Sequence, residues 1–162
     1  MAGKPVNRDW VVNLCKIVDE IDTLVETLED LADEKTLHSN ASERNLRKFF
    51  SPYFADLANL INQFVDYLKP LGVNDRDKRA LLNVVRELEY LAGYVTDPDE
   101  YDYFRVGLFF LNSVIGLAVG RSPYFRNGGL SDALANWREA LRVGCKLMRI
   151  GDLVMSVGGC RE

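Results

Sequence analysis

Few residues in this chain have the type and spacing that chemistry needs. One histidine, His38, lies in a polar connector, KTLHSNAS. Any Ser–His–Asp or Cys–His arrangement must use it, and no sharp nucleophile-bearing turn is visible, so it reads as a loop residue. Cys15, Cys145 and Cys160 are too widely spaced for a zinc pair. No inward Glu-x-x-His pair marks a di-iron bundle, and no P-loop or GxGxxG is present. The sequence therefore suggests no catalytic residue, metal or cofactor, and the expected protein is not an enzyme.

Charged rows remain. Glu26, Glu29, Asp30 and Asp33 stand close together near the amino end and could meet a hard cation such as Mg²⁺. No two of them share an inward position. They read as a solvated face or, put to use, as an anionic docking surface for a basic partner or a neighbouring subunit. The basic residues form three patches: Arg44, Arg47 and Lys48; Arg76, Arg79 and Arg86; and Arg138, Arg142, Lys146 and Arg149, extended by Arg121 and Arg126. The third falls at steps of 4, 4 and 3, a single helical stripe. Each patch alone reads as solvated surface. Two uses follow from their segregation from the acidic row. One is assembly with other protein subunits, including self-association. The other is contact with nucleic-acid backbone, with Tyr90, Tyr124 or Phe125 available for stacking.

The elements that must position these rows are all helical. Trp10, Leu14, Ile17, Ile21, Leu24, Leu28 and Leu31 alternate steps of 4 and 3, a heptad seam, with Val11, Val18, Val25 and Ala32 beside it. Helices are expected over 8–34, 42–50, 52–68, 75–95, 100–120 and 131–157. Ser39 or Ser42 would cap the second. Ser51 and Pro52 suggest a fresh start there, because a proline at the first helical position loses no bond. Lys69-Pro70-Leu71-Gly72 stops the next helix. In the last, Leu134, Trp137, Leu141, Cys145, Met148 and Val154 are the expected inward set, and Gly144 and Gly151 would admit a second backbone closely.

The stretch from Val106 to Val119 is uncharged and apolar on every side, so it must be covered on every side. A membrane span needs about 20 residues, and this uncharged run falls short, which makes it the expected central helix of the fold. The fold class is all-α, a single-domain bundle of about five helices around that element. No membrane is expected as a partner. The net charge of −4 is uneven: −6 over residues 1–34, +2 over 35–95, −3 over 96–120 and +3 over 121–162. That excludes a strongly basic domain but not a local basic face. The start, MAGKPVNRDW, has no apolar run behind its charges. Three distant cysteines suggest reduced thiols, a frayed, reactive Cys160 and a cytoplasmic location.

SERNLRKFF (Ser42–Phe50) and ELEYLAGYV (Glu87–Val95) together resemble segments of the small all-helical subunit of type III CRISPR RNA-guided effector complexes. Tyr94 stands where that family tends to carry a basic residue. The resemblance implies a non-catalytic subunit that stacks along its complex, with Arg44, Arg47, Lys48 and Arg86 against nucleic-acid backbone.

Overall fold

The heptad-spaced residues near the amino end form one long helix, α1 (Arg8–Leu37), in a computed structural model that describes residues 6–37, 46–95, 98–121 and 137–160. Asn7 caps it, its side-chain oxygen accepting from the Trp10 amide at 2.9 Å. The row expected to flank the seam is the more deeply buried one. Val11, Val18, Val25 and Ala32 are sealed along with Leu14, Ile21 and Leu28, while Trp10, Ile17, Leu24 and Leu31 are only half-buried. The stripe is thus rotated toward the former set.

Helix α2 (Leu46–Leu68) runs unbroken through Pro52, which corrects the expected restart at Ser51. An interior proline costs about 3 kcal/mol. Phe50 and Phe54, one turn apart, are fully buried, and both rings pack on Phe104 at 6.5 and 6.2 Å. Each such burial is worth roughly 1.5–3 kcal/mol, so continuity of the apolar face offsets the lost bond. A short 3₁₀ turn (Lys69–Leu71) ends the helix at Gly72, as the sequence indicates.

Asn74 caps α3 (Asp75–Ala92) in a reciprocal box: its side chain accepts from the Arg76 and Asp77 amides, and Asp77 accepts from the Asn74 amide. Helix α4 (Pro98–Gly116) follows, with proline at its first position, and tightens into a 3₁₀ turn (Leu117–Val119). Gly120, at φ 76°, closes that turn; its amide donates to Leu117 and the Arg121 amide to Gly116. Helix α5 (Arg138–Ser156) completes the set. The described residues contain five α-helices and no strand, and they form an all-α, single-domain bundle.

Helix α4 is central, packed by α1, α3 and α5. Phe104, Leu108, Phe110, Leu111, Val114 and Ile115 are fully buried. Cover is not complete, because Phe109 is 40% exposed. The stretch Tyr101–Val119 is also longer than its uncharged run suggests. At 19 residues and a mean hydropathy of 1.4 it is long and apolar enough to cross a membrane, yet 67% of it is buried among the other helices.

Two glycines let helices touch. A Cβ at Gly107 would lie 2.5 Å from Leu88 Cδ2 and 2.7 Å from Trp137 Cη2. A Cβ at Gly151 would lie 2.1 Å from the Leu117 carbonyl oxygen, so α5 crosses the 3₁₀ turn backbone to backbone, as its sequence suggests. The buried face of α5 is Ala140, Val143, Gly144, Leu147, Ile150, Gly151 and Val154, joined at its start by Trp137. Trp137 and Val154 are buried as expected, but Leu141 and Met148 are half-buried and Cys145 is exposed, because the parallel row of Val143, Leu147 and Ile150 takes the inner face. Leu134 lies outside the described residues.

The cysteines also depart from expectation. Cys15 and Cys160 form a disulfide, and Cys145 alone is unbonded. Gly158, at φ 111°, turns the chain after α5 so that the tail returns to α1, where the Arg8 guanidinium donates to the Gly159 carbonyl. The tail from Val157 to Cys160 is held rather than frayed. The expected cytoplasmic location rested on reduced thiols and loses that support.

Candidate functional site

Two of the four residues of the basic stripe on α5, Arg142 and Lys146, latch that helix onto α3. Asp77, in the first turn of α3, is fully buried. Arg142 Nη1 donates to its Oδ1 and Lys146 Nζ to its Oδ2, both at 2.7 Å. Burial alone would raise the Asp77 pKa. Lys146, the Asn74 amide and Arg142 together outweigh burial and hold the carboxyl below its ordinary value of 3.8. Asp77 in turn holds the Arg142 guanidinium more firmly protonated. Glu139 extends the network, accepting from Arg142 Nε at 3.0 Å and pairing with Arg76 Nη2 at 3.3 Å. A further hydrogen bond from Lys146 to the Gly72 carbonyl, at 3.4 Å, ties α5 to the loop before α3.

Of the residues expected on nucleic acid, the structure thus commits Arg142 and Lys146 to the fold and pairs Arg76 with Glu139. Arg138 and Arg149 are exposed on α5. Arg79 and Arg86 are exposed on α3 in one row with Asn83 and Tyr90. The hydroxyl groups of Tyr90 and Tyr94 lie 2.7 Å apart. Arg44 lies outside the described residues, with His38, Ser39, Ser42, Tyr124, Phe125 and Arg126. Arg47 and Lys48 are in the first turn of α2, and their side chains are likewise outside the description.

The acidic row of α1 divides by helix face. On the side toward α4 its carboxylates are engaged. Asp22 accepts from Asn112 at 2.6 Å, and the Tyr101 hydroxyl donates to Asp33. Glu29 is half-buried, and its pKa is raised: burial is the main cause, Arg105 opposes it, and neighbouring Asp33, Asp30 and Glu26 reinforce it. Burial and the Asp33 carboxylate likewise push the Tyr101 hydroxyl pKa upward. Glu20, Glu26 and Asp30 face solvent. Asp19 is exposed but paired with Arg121 Nη1 at 2.6 Å. Of the four carboxylates expected to dock a partner, Glu26, Asp30 and Asp33 are exposed, Asp33 while accepting from Tyr101, and Glu29 is half-buried beside them.

Sequence reasoning does not reach a groove of about 710 Å³ between α1 and α2. Leu24, Leu60 and Tyr53 are its hydrophobic residues, Asp19, Glu20 and Asp56 its carboxylates, and among the described residues no lysine or arginine lines it. The exposed acidic side of α1 continues into it. Among the described residues no group of three or more His, Cys, Asp or Glu is placed to hold a metal ion. No protein-family model, no curated protein and no solved structure matches this chain.

Proposed function

We propose that this chain is a non-enzymatic adaptor subunit that docks a basic protein partner through the acidic, solvent-facing side of α1. The observation that carries this reading is a set of solvent-facing carboxylates on one helix face of α1, set against a basic stripe half of which is taken up by the fold. Arg142 and Lys146 of the basic stripe are turned onto a buried carboxylate, whereas Glu20, Glu26 and Asp30 face solvent. Complementary charge of this kind steers encounter and fixes which partners are accepted.

The mass of the native particle tests it. The expected particle is larger than the 18.4 kDa chain and falls apart when Glu26→Lys and Asp30→Lys are combined. A wild-type chain that runs as an 18.4 kDa monomer from its source overturns the reading.

A second reading is a place along a nucleic acid, the role that the resemblance to the small CRISPR subunit implies. It is favoured by the single exposed row of Arg79, Asn83, Arg86 and Tyr90. In the same experiment Arg79→Glu with Arg86→Glu, rather than the acidic pair, would then release the complex. Binding to single-stranded RNA would also fall steeply with salt, and none at about 50 mM salt ends this alternative.

A further inference from the structure

We infer that the groove between α1 and α2 takes one amphipathic helix of the partner, with leucine-like side chains on one face and lysine or arginine at the flanks. This rests on the adaptor reading and adds the place and the shape of the ligand. Leu24 and Leu60 give the groove an apolar pair of residues, one from each helix, both half-buried by the bundle. From Asp19 to Thr27 the α1 wall spans about 12 Å at 1.5 Å per residue, a little over two helical turns. That length suits anchors at i and i+4, or i and i+7, of a docked helix. The volume of about 710 Å³ lies within the range of roughly 300–1,000 Å³ typical of ligand sites.

Charge decides the chemistry of the occupant. Glu20 and Asp56 stand on opposite walls, and Asp19 shares its charge with Arg121. With no lysine or arginine among the described lining residues, an acidic or neutral segment would bury Glu20 and Asp56 without a countercharge, whereas flanking lysines or arginines would pair them. A second copy of this chain is a poor occupant. Among the described residues its basic amphipathic helix, α5, has Arg142 and Lys146 turned onto Asp77 and its apolar face in the core.

The probe is a fluorescent synthetic peptide of 14 or so residues built from Leu and Lys, with Leu on one helical face, followed by anisotropy. Its control is the same composition scrambled so that no face is apolar. The facial peptide is expected to bind at least about tenfold more tightly than the scramble, a difference of roughly 1.4 kcal/mol. Thr23→Arg, which fills the groove with like charge, and Asp56→Lys should each weaken it by about tenfold or more. Both positions are exposed, so the variants should fold, and circular dichroism checks that. Glu87→Lys, exposed on α3 and outside the groove, should change peptide binding by less than about threefold. Equal binding of the two peptides, or none by either, overturns the inference. So does full binding by folded Thr23→Arg and Asp56→Lys. If the loss follows Glu26 and Asp30 instead, the groove is wrong while the adaptor reading stands. A monomeric native particle removes that reading independently of the peptide.

Discussion

Replacing Asp77 by asparagine is the most direct probe of how α5 is held. The carboxylate is fully buried, and its partners Arg142 and Lys146 are 31% and 34% exposed. Removing one side of a buried ion pair costs about 3–5 kcal/mol. Because both cations keep a third of their side chains in water, they recover some hydration, and the low end applies: about 3 kcal/mol. Asp77→Ala also loses the acceptor for the Asn74 amide, adding about 1 kcal/mol through the capping box. In a domain of this size 3 kcal/mol corresponds to roughly 6–12 °C in Tm. Urea unfolding of wild type, Asp77→Asn, Lys146→Met and the double variant would give both the cost and the coupling. The pH dependence has a definite sign. The folded carboxyl sits below its ordinary value of 3.8, so its contribution is present above that pH and disappears as pH falls through the folded value. The gap between wild type and Asp77→Asn should accordingly be full near neutrality and close in acid below pH 3.8. A cost under about 1 kcal/mol, or no coupling to Lys146, refutes the latch.

Three further outcomes follow from the packing and the thiols. Gly151→Ala should destabilise by about 1–3 kcal/mol in urea unfolding, since its Cβ meets a backbone oxygen that cannot rotate away. The unreduced protein should show one thiol to a labelling reagent, Cys145, and a mass 2 Da (about two hydrogens) below the fully reduced chain. Cys160→Ser should cost about 3–5 kcal/mol by loss of so long a closed loop.

The bundle was legible because its signals are local and repeated. The heptad run of α1 and the uncharged stretch of α4 each demand cover, and a helical cluster is the simplest way to give it. Stop signals such as Gly72 and Gly120 also act within one turn. What failed to show depends on distant residues meeting. Pro52 signals a break, and only the burial of Phe50 and Phe54 against Phe104 overrules it. Helix α5 carries two apolar rows, Leu141, Cys145 and Met148 beside Val143, Leu147 and Ile150, and only contact with the other helices decides which of them turns inward. Asn74 and Asp77 have the spacing of a capping box, but nothing local says that Asp77 also receives two cations from about 65 to 69 residues away. The basic stripe was visible as a pattern, and its direction was not. The groove is likewise a property of two helices together, absent from either alone.

The covalent link from Cys15 to Cys160 has a topological consequence. It closes residues 15–160 into one covalent ring. A protease that cuts the backbone once inside that ring yields no separate pieces until a reductant is added. Tension applied to the chain outside Cys15 and Cys160 passes across the sulfur bridge and leaves the helical segments between them unloaded.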